Sequence, residues 1–399
     1  MHSNTINNRI MQRSNLARVL RTIYESGGIS RRDVAIRTGL TPSSVTNIVS
    51  RLLDEKLVRE SVQTCEEGLA VGRPPIRLEI ANDRYAVIGV ELSADRITAV
   101  VTDFIGTPLA VGNDDNSGAN PPEVATRKIH DLVLRLLKEA RVDRECVLGL
   151  GLMSSGPYDP ETGHMFNPTN FDNWLDVPIR ALVEASLGFP VSFDRDSVGC
   201  ALEAQINESD EGSLFAVLVN TIGIGGALVI NGEVYYGLHN CAAEIGCMTV
   251  IPDGPLCRCG DRGCLEAVSS ADALLGYIRQ RVAEGAEDPF DGCCGTADAE
   301  QLAAAYRAGK PLAVEAVERG AKYLGIAIGN VIKIACPDVV AIGGSFLTAL
   351  PEYYSLIVTQ ARARRQAEPQ FIPFAHGPIQ CALGGVRLVI MNYFKALEH

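Results

Sequence analysis

Between Glu244 and Glu266 the chain carries Cys247, Cys257, Cys259 and Cys264, the last three spaced C-x-C-x4-C. Thiolates are soft metal ligands, and four of them suit a single tetrahedral Zn²⁺ of the closed, structural kind. The flanking carboxylates Glu244 and Glu266 would be fixed by the same ion. Carboxylates accept paired hydrogen bonds from neighbouring hydroxyls, so such a loop is suited to a small polar ligand. A set of structural or incidental cysteines is the plainer reading. The density of thiols in this segment favours metal.

The surroundings of that loop agree. The chain begins without the apolar stretch of a secretory leader, and no run approaches the roughly 20 apolar residues that cross a bilayer. A cytoplasmic protein with no membrane partner is expected. Thiols stay reduced there, so the twelve cysteines point to metal rather than disulfides. At 399 residues the chain exceeds a single core, and two or three domains are expected. Its 47% hydrophobic and 21% charged residues are ordinary for a globular protein.

The net charge of −12 argues against a general nucleic-acid binder until it is divided along the chain. Residues 1–75 carry +4 and the remainder −16, a basic head on an acidic body. In the head, Leu16, Val19, Leu20 and Ile23 share one helical face. Ser30 is placed to cap a second helix, with Asp33 in the capping-box position, and Gly39-Leu40 makes a turn. Thr41 caps a third helix, Pro42 standing where a missing N–H costs nothing. Its apolar stripe is Val45, Ile48, Val49, Leu52 and Leu53. The other face presents Ser43, Ser44, Thr46, Asn47 and Arg51, side chains that donate to phosphates and base edges.

Two short helices about a glycine turn make a helix-turn-helix whose second helix enters the major groove. Segments 57–62 and 76–80 read as a β-pair, and the loop between them, with Arg73, would be a wing. A three-helix protein-interaction module is the weaker alternative.

Beyond Tyr85 the pattern is α/β. Strands are expected at 86–92, 96–102 and 108–111, a helix at about 122–140, and a fully apolar strand at 147–153. The scheme restarts at 214–219, with a hairpin through Asn231-Gly232, helices between about 266 and 336, and a strand at 339–342. Two similar halves imply a two-lobed body with a central cleft.

These residues resemble the ROK family of repressors and sugar kinases, and its repressor branch in particular. The resemblance covers nearly the whole chain, with a winged helix-turn-helix at 1–82 and the body at 83–399. Its specific motif is Glu244-Ile-Gly-Cys247 with Cys257-x-Cys259-Gly-x-x-Gly-Cys264-Leu-Glu266. Ser155-Gly156-Pro157, Gly343-Gly344 and Ala382-Leu-Gly-Gly385 are weaker matches. The resemblance implies an actin-like, sugar-kinase fold with one lobe at about 83–192 plus the C-terminal helix and the other at about 193–380. It also implies a sugar pocket lined by Asn170, Asp196, Glu244 and Glu266.

Departures from the family pattern are informative. Its kinases carry Asp-x-Gly-Gly-Thr in the first hairpin, whereas this chain has Glu91-Leu-Ser93-Ala94-Asp95. Side chains there block phosphate approach, and Asp95 facing a phosphate about 4 Å away would cost about 4 kcal/mol at an effective dielectric near 20. The second phosphate loop, Gly-Thr-Gly in the family, reads Thr221-Ile222-Gly223. Asp196 stands where the family has its catalytic base and is expected only to accept hydrogen bonds.

Cys247 replaces a zinc histidine, and Arg195 replaces an Asn. Arg195 suggests an acidic or phosphorylated effector; facing solvent or pairing with Asp194 is the equal alternative. The expectation is a sugar-responsive repressor without kinase activity that binds a palindromic operator as a homodimer or tetramer. A sugar kinase with an appended head is the second reading, and a body that docks a protein partner the third.

Overall fold

In the head, α1 (His2–Ser26), α2 (Arg31–Thr38) and α3 (Pro42–Asp54) precede a hairpin of β1 (Val58–Val62) and β2 (Ile76–Ile80). The computed structural model describes residues 2–62, 76–168, 171–206, 212–363, 368–374 and 377–398. The wing loop with Arg73, and Asn170, lie outside the described residues. Leu16, Val19, Leu20 and Ile23 of α1 are buried, with Val45, Val49 and Leu52 of α3. The Ser30 hydroxyl accepts the Asp33 amide at 3.2 Å and donates to the Asp33 carboxylate at 2.7 Å. Gly39 ends α2 with φ 68°, and the Thr41 hydroxyl accepts the Ser44 amide to start α3. Ile29, between α1 and α2, exchanges both backbone hydrogen bonds with Leu78 and so ties the helices to the hairpin.

The chain divides into two units, Met1–Asp194 with Ala382–His399, and Arg195–Cys381. In the first, β3 (Ala86–Leu92), β4 (Arg96–Asp103) and β5 (Pro108–Asp115) form an antiparallel meander. After α4 (Pro122–Ala140), β6 (Val147–Ser154) lies parallel to β3. A small hairpin of β7 (Tyr158–Asp159) and β8 (His164–Met165) and then α5 (Ile179–Leu187) lead to β9 (Val191–Arg195). The strand order is β5-β4-β3-β6-β9. Strand β5 runs four residues beyond the expected stretch, because its far end is an exposed edge of polar residues that carries no hydrophobic signal.

The second unit repeats the scheme. After α6 (Asp196–Ile206) come β10 (Ser213–Val219), β11 (Ile224–Ile230) and β12 (Glu233–Val234), an antiparallel meander. Its Asn231-Gly232 turn has φ of 51° and 78°, the left-handed pair that a tight hairpin needs. Helices α7 (Glu266–Ser269), α8 (Ala271–Ala283), α9 (Ala299–Arg307) and α10 (Pro311–Ala335) follow. Strand β13 (Val339–Gly343) is parallel to β10, and after α11 (Ser345–Ala349) and α12 (Glu352–Arg362), β14 (Gln370–Pro373) is parallel to β13. The order β12-β11-β10-β13-β14 matches that of the first sheet. Fully buried Tyr353 of α12 donates to the Ser269 carbonyl at 3.1 Å, inside a core shared with α8 and α10.

The last helix, α13 (Pro378–Glu398), lies on the first sheet. A Cβ on Gly151 would sit 2.0 Å from the Gly385 carbonyl oxygen, so strand and helix meet backbone to backbone and admit no side chain. Farther along, Tyr393 and Phe394 enclose Phe104 together with Tyr24 of α1 and Tyr85. Arg387 donates to the Tyr24 hydroxyl at 3.1 Å. The core of the head therefore continues into the body, as one apolar cluster running from Leu16 through Val87 and Val100 to Phe394. Phe104→Ala should cost about 3–5 kcal/mol of stability in denaturant unfolding. A loss below about 1 kcal/mol would contradict the continuous core.

Candidate ligand and metal site

The thiol loop is built by backbone pairing. Val250 donates to the Gly263 carbonyl at 2.8 Å and Leu265 to that of Met248 at 2.9 Å, so 248–250 runs beside 263–265. That places Cys247 next to the hairpin carrying the other three thiols, which closes with Cys257 donating to the Asp261 carbonyl at 2.8 Å. The Sγ atoms of Cys257, Cys259 and Cys264 all lie within 4.8 Å of one another. Those of Cys259 and Cys264 are 3.6 Å apart. A disulfide needs about 2.05 Å, whereas thiolates about 2.3 Å from a tetrahedral ion stand roughly 3.8 Å apart. The three thiols therefore fit a metal ion. Cys247 falls outside the mutual set of three but interacts with Cys259.

Burial pushes the Cys247 and Cys264 thiols up to about 12, with neighbouring cysteines adding to it. Burial raises Cys257 as well, while the Asp261 backbone holds Cys259 below its ordinary value. An entering ion must displace protons, so metal affinity falls as pH falls.

The carboxylates sit at the two ends of this loop. Gly246 packs so closely on β11 that a Cβ there would lie 2.1 Å from the Ile224 carbonyl oxygen, which seats the Glu244 turn on the sheet. Arg195, at the end of β9, donates to Glu244 and also to the Ala242 carbonyl at 3.4 Å. Its side chain is 10% exposed, so it does not face solvent. The Asp194 carboxylate accepts the Tyr158 hydroxyl. Asp196 opens α6 and accepts the Ser197 amide at 2.7 Å.

At the other end, Glu266 opens α7 and accepts the Ile224 amide at 3.3 Å. Arg258, between two of the thiols, pairs with it at 3.3 Å. Sequence reasoning passed over Arg258, because an arginine in a thiol loop reads as a solvated side chain. The loop thus carries a carboxylate paired with a guanidinium at each end, Glu244 with Arg195 and Glu266 with Arg258.

Both turns that differ from the kinase pattern are filled by internal hydrogen bonds. The Ser93 hydroxyl donates to Glu91, and Asn116 donates to the carbonyls of Ser93 at 2.8 Å and Asp95 at 2.9 Å. In the second unit, the Thr221 amide donates to the Ser345 hydroxyl at 3.1 Å and the Ser345 amide to Asn220 at 3.0 Å.

On α3, Ser43, Thr46, Asn47 and Arg51 are exposed and Ser44 half-buried. Some of their capacity is spent locally. Ser43 and Ser44 bond the Thr41 hydroxyl, Thr46 donates to the Pro42 carbonyl, and Arg51 pairs with Glu55.

Residues 87–391 match the ROK family and residues 16–64 the MarR family. The chain belongs to the ROK family. It is 30% identical to the putative xylose repressor of Caldicellulosiruptor sp. (strain Rt8B.4) over 344 residues, 84% of each chain. A ROK family transcriptional regulator, homolog of E. coli MLC protein, superposes with a TM-score of 0.80 at 23% identity over 98% of both chains. The ROK hexokinase from Thermus thermophilus covers 77% of this chain and 99% of its own, with a TM-score of 0.66 at 28% identity. This ROK chain thus joins a winged helix-turn-helix head to a sugar-kinase-like body. Among the described residues no helix is long and apolar enough to cross a membrane.

Glu244→Ala removes the carboxylate partner of a nearly buried guanidinium and should lower stability by about 1–3 kcal/mol in urea unfolding. A change under about 0.5 kcal/mol would mean that the Arg195–Glu244 pair does not stabilise the fold.

Proposed function

We propose that this ROK protein is a sugar-responsive transcriptional repressor, its head binding operator DNA as a homodimer and its body binding a neutral sugar. The observation that carries this is a winged helix-turn-helix head on a sugar-kinase-like body, in a chain 30% identical to a putative xylose repressor. Glu244, Glu266, Asp196 and Asn170 accept from sugar hydroxyls, and Arg195 donates. The engagement of Arg195 by Glu244 favours a neutral ligand over the acidic one first suggested by Arg195. A relative named as a putative xylose repressor makes an aldose such as xylose the first choice.

Cys257, Cys259 and Cys264, with Cys247 as fourth ligand, hold a structural Zn²⁺. The ion cross-links the loop and takes no part in chemistry. Sugar relieves repression only by binding one arrangement of the dimer more tightly than the other. Exposed Asn47 and Arg51 of α3, with Ser43, Ser44 and Thr46, face the major groove, while Arg73 contacts the backbone.

The decisive experiment uses zinc-replete protein and an operator selected from random DNA, with release followed by fluorescence anisotropy. D-xylose or D-glucose should release the operator, their phosphates should do so poorly, and no ADP should form in a coupled assay with ATP. Steady turnover of either sugar would instead establish the kinase reading. Cys259→Ser should lose its metal and its sugar response together. A metal-free variant that responds normally rules out the zinc role. Asn47→Ala should weaken operator binding by about 1–3 kcal/mol and leave sugar affinity alone; unchanged operator affinity would remove Asn47 from the readers.

A further inference from the structure

Arg258 lies between two thiols and brings its guanidinium to the carboxylate of the same loop, on the oxygen that the Cys257 thiol also contacts at 4.0 Å. One nitrogen, Nη2, donates both to the Ile222 carbonyl at 2.5 Å and to Glu266 Oε1 at 3.3 Å. The other Glu266 oxygen accepts the Ile224 amide at 3.3 Å. The turn that supplies Ile222 is itself anchored. Asn220 donates to the Gly223 carbonyl at 2.9 Å, and the Asp272 amide at the start of α8 donates to the Thr221 carbonyl at 2.9 Å. Gly223 faces Glu266 so closely that a Cβ would come within 2.9 Å of Oε2.

We propose that Arg258 is the positioning residue for Glu266, locking the thiol loop, the 220–223 turn and this ligand-facing carboxylate into one rigid piece. The assignment deepens the sugar-binding reading of the site and rests on it for its functional meaning. The physical reason is rotational. A glutamate at the tip of a four-residue helix can turn about its side-chain bonds, and the Arg258 guanidinium on one oxygen with the Ile224 amide on the other fixes its plane. With the Arg258 side chain 41% exposed, the ion pair itself contributes little to global stability. Its value lies in orientation, because a carboxylate aimed in advance binds hydroxyls without the ordering cost. The same contact keeps the turn closed, with the Thr221 amide directed to Ser345 rather than outward.

The test compares zinc-loaded full-length wild type, R258A and R258K. Metal content, thermal unfolding, hydrogen exchange of the 220–226 segment and calorimetry with D-xylose and D-glucose are measured on each. R258A should keep its metal and its melting temperature. Its 220–226 segment should exchange about tenfold faster, and its sugar Kd should rise about tenfold, each corresponding to about 1.4 kcal/mol. R258K, which keeps a donor of similar reach, should recover most of both. Wild-type exchange in metal-loaded R258A overturns the assignment whatever the sugars do. Faster exchange with no sugar binding even by wild type supports the anchoring and sinks the sugar reading instead. Should R258A shed its metal, R258K decides: protection like wild type supports the assignment, and exposure with metal retained overturns it.

Discussion

A flexible carboxylate is held in one orientation by donors on its oxygens, and a guanidinium is the strongest such donor a side chain offers. The second unit does this at each end of one loop, with Arg195 against Glu244 and Arg258 against Glu266. The two pairs differ in kind. Arg195 is nearly buried, so its partner contributes to the fold itself. Arg258 is much more open, so its contribution is mainly geometric. The thiol cluster lies between them in the chain.

The same economy of parts appears in the sheets. Each unit uses a meander of three antiparallel strands followed by two further strands, and the repeated order places a hairpin turn at the corresponding point of each. In the first unit Asn116 donates to the carbonyls of Ser93 and Asp95, and in the second the Ser345 hydroxyl accepts the Thr221 amide.

The head is not an independent bead. Tyr24 of α1 packs with Phe104 and Phe394, and Arg387 reaches its hydroxyl, so α13 belongs to the head's core as much as to the sheet it covers. A change in the placement of α13 on the Gly89 and Gly151 strands would be felt at the base of the recognition helices, because close-packed interiors transmit displacement rather than absorb it.

Much of this was legible beforehand. Helix caps at Ser30 and Thr41, the left-handed Gly39, the Asn231-Gly232 turn and the apolar strands are local, and short-range sterics and hydrogen bonding decide them within a few residues. The clustering of Cys257, Cys259 and Cys264 is local as well, carried by one hairpin. What only the tertiary structure decided are pairings across long separations. The pairing of Arg195 with Glu244, the grip of Arg258 on Glu266 and Ile222, and the aromatic contact of Tyr24 with Phe394 all lack any periodic signal. A charge or a ring announces that it needs a partner, but which one it obtains depends on strand order and helix packing far away in the chain.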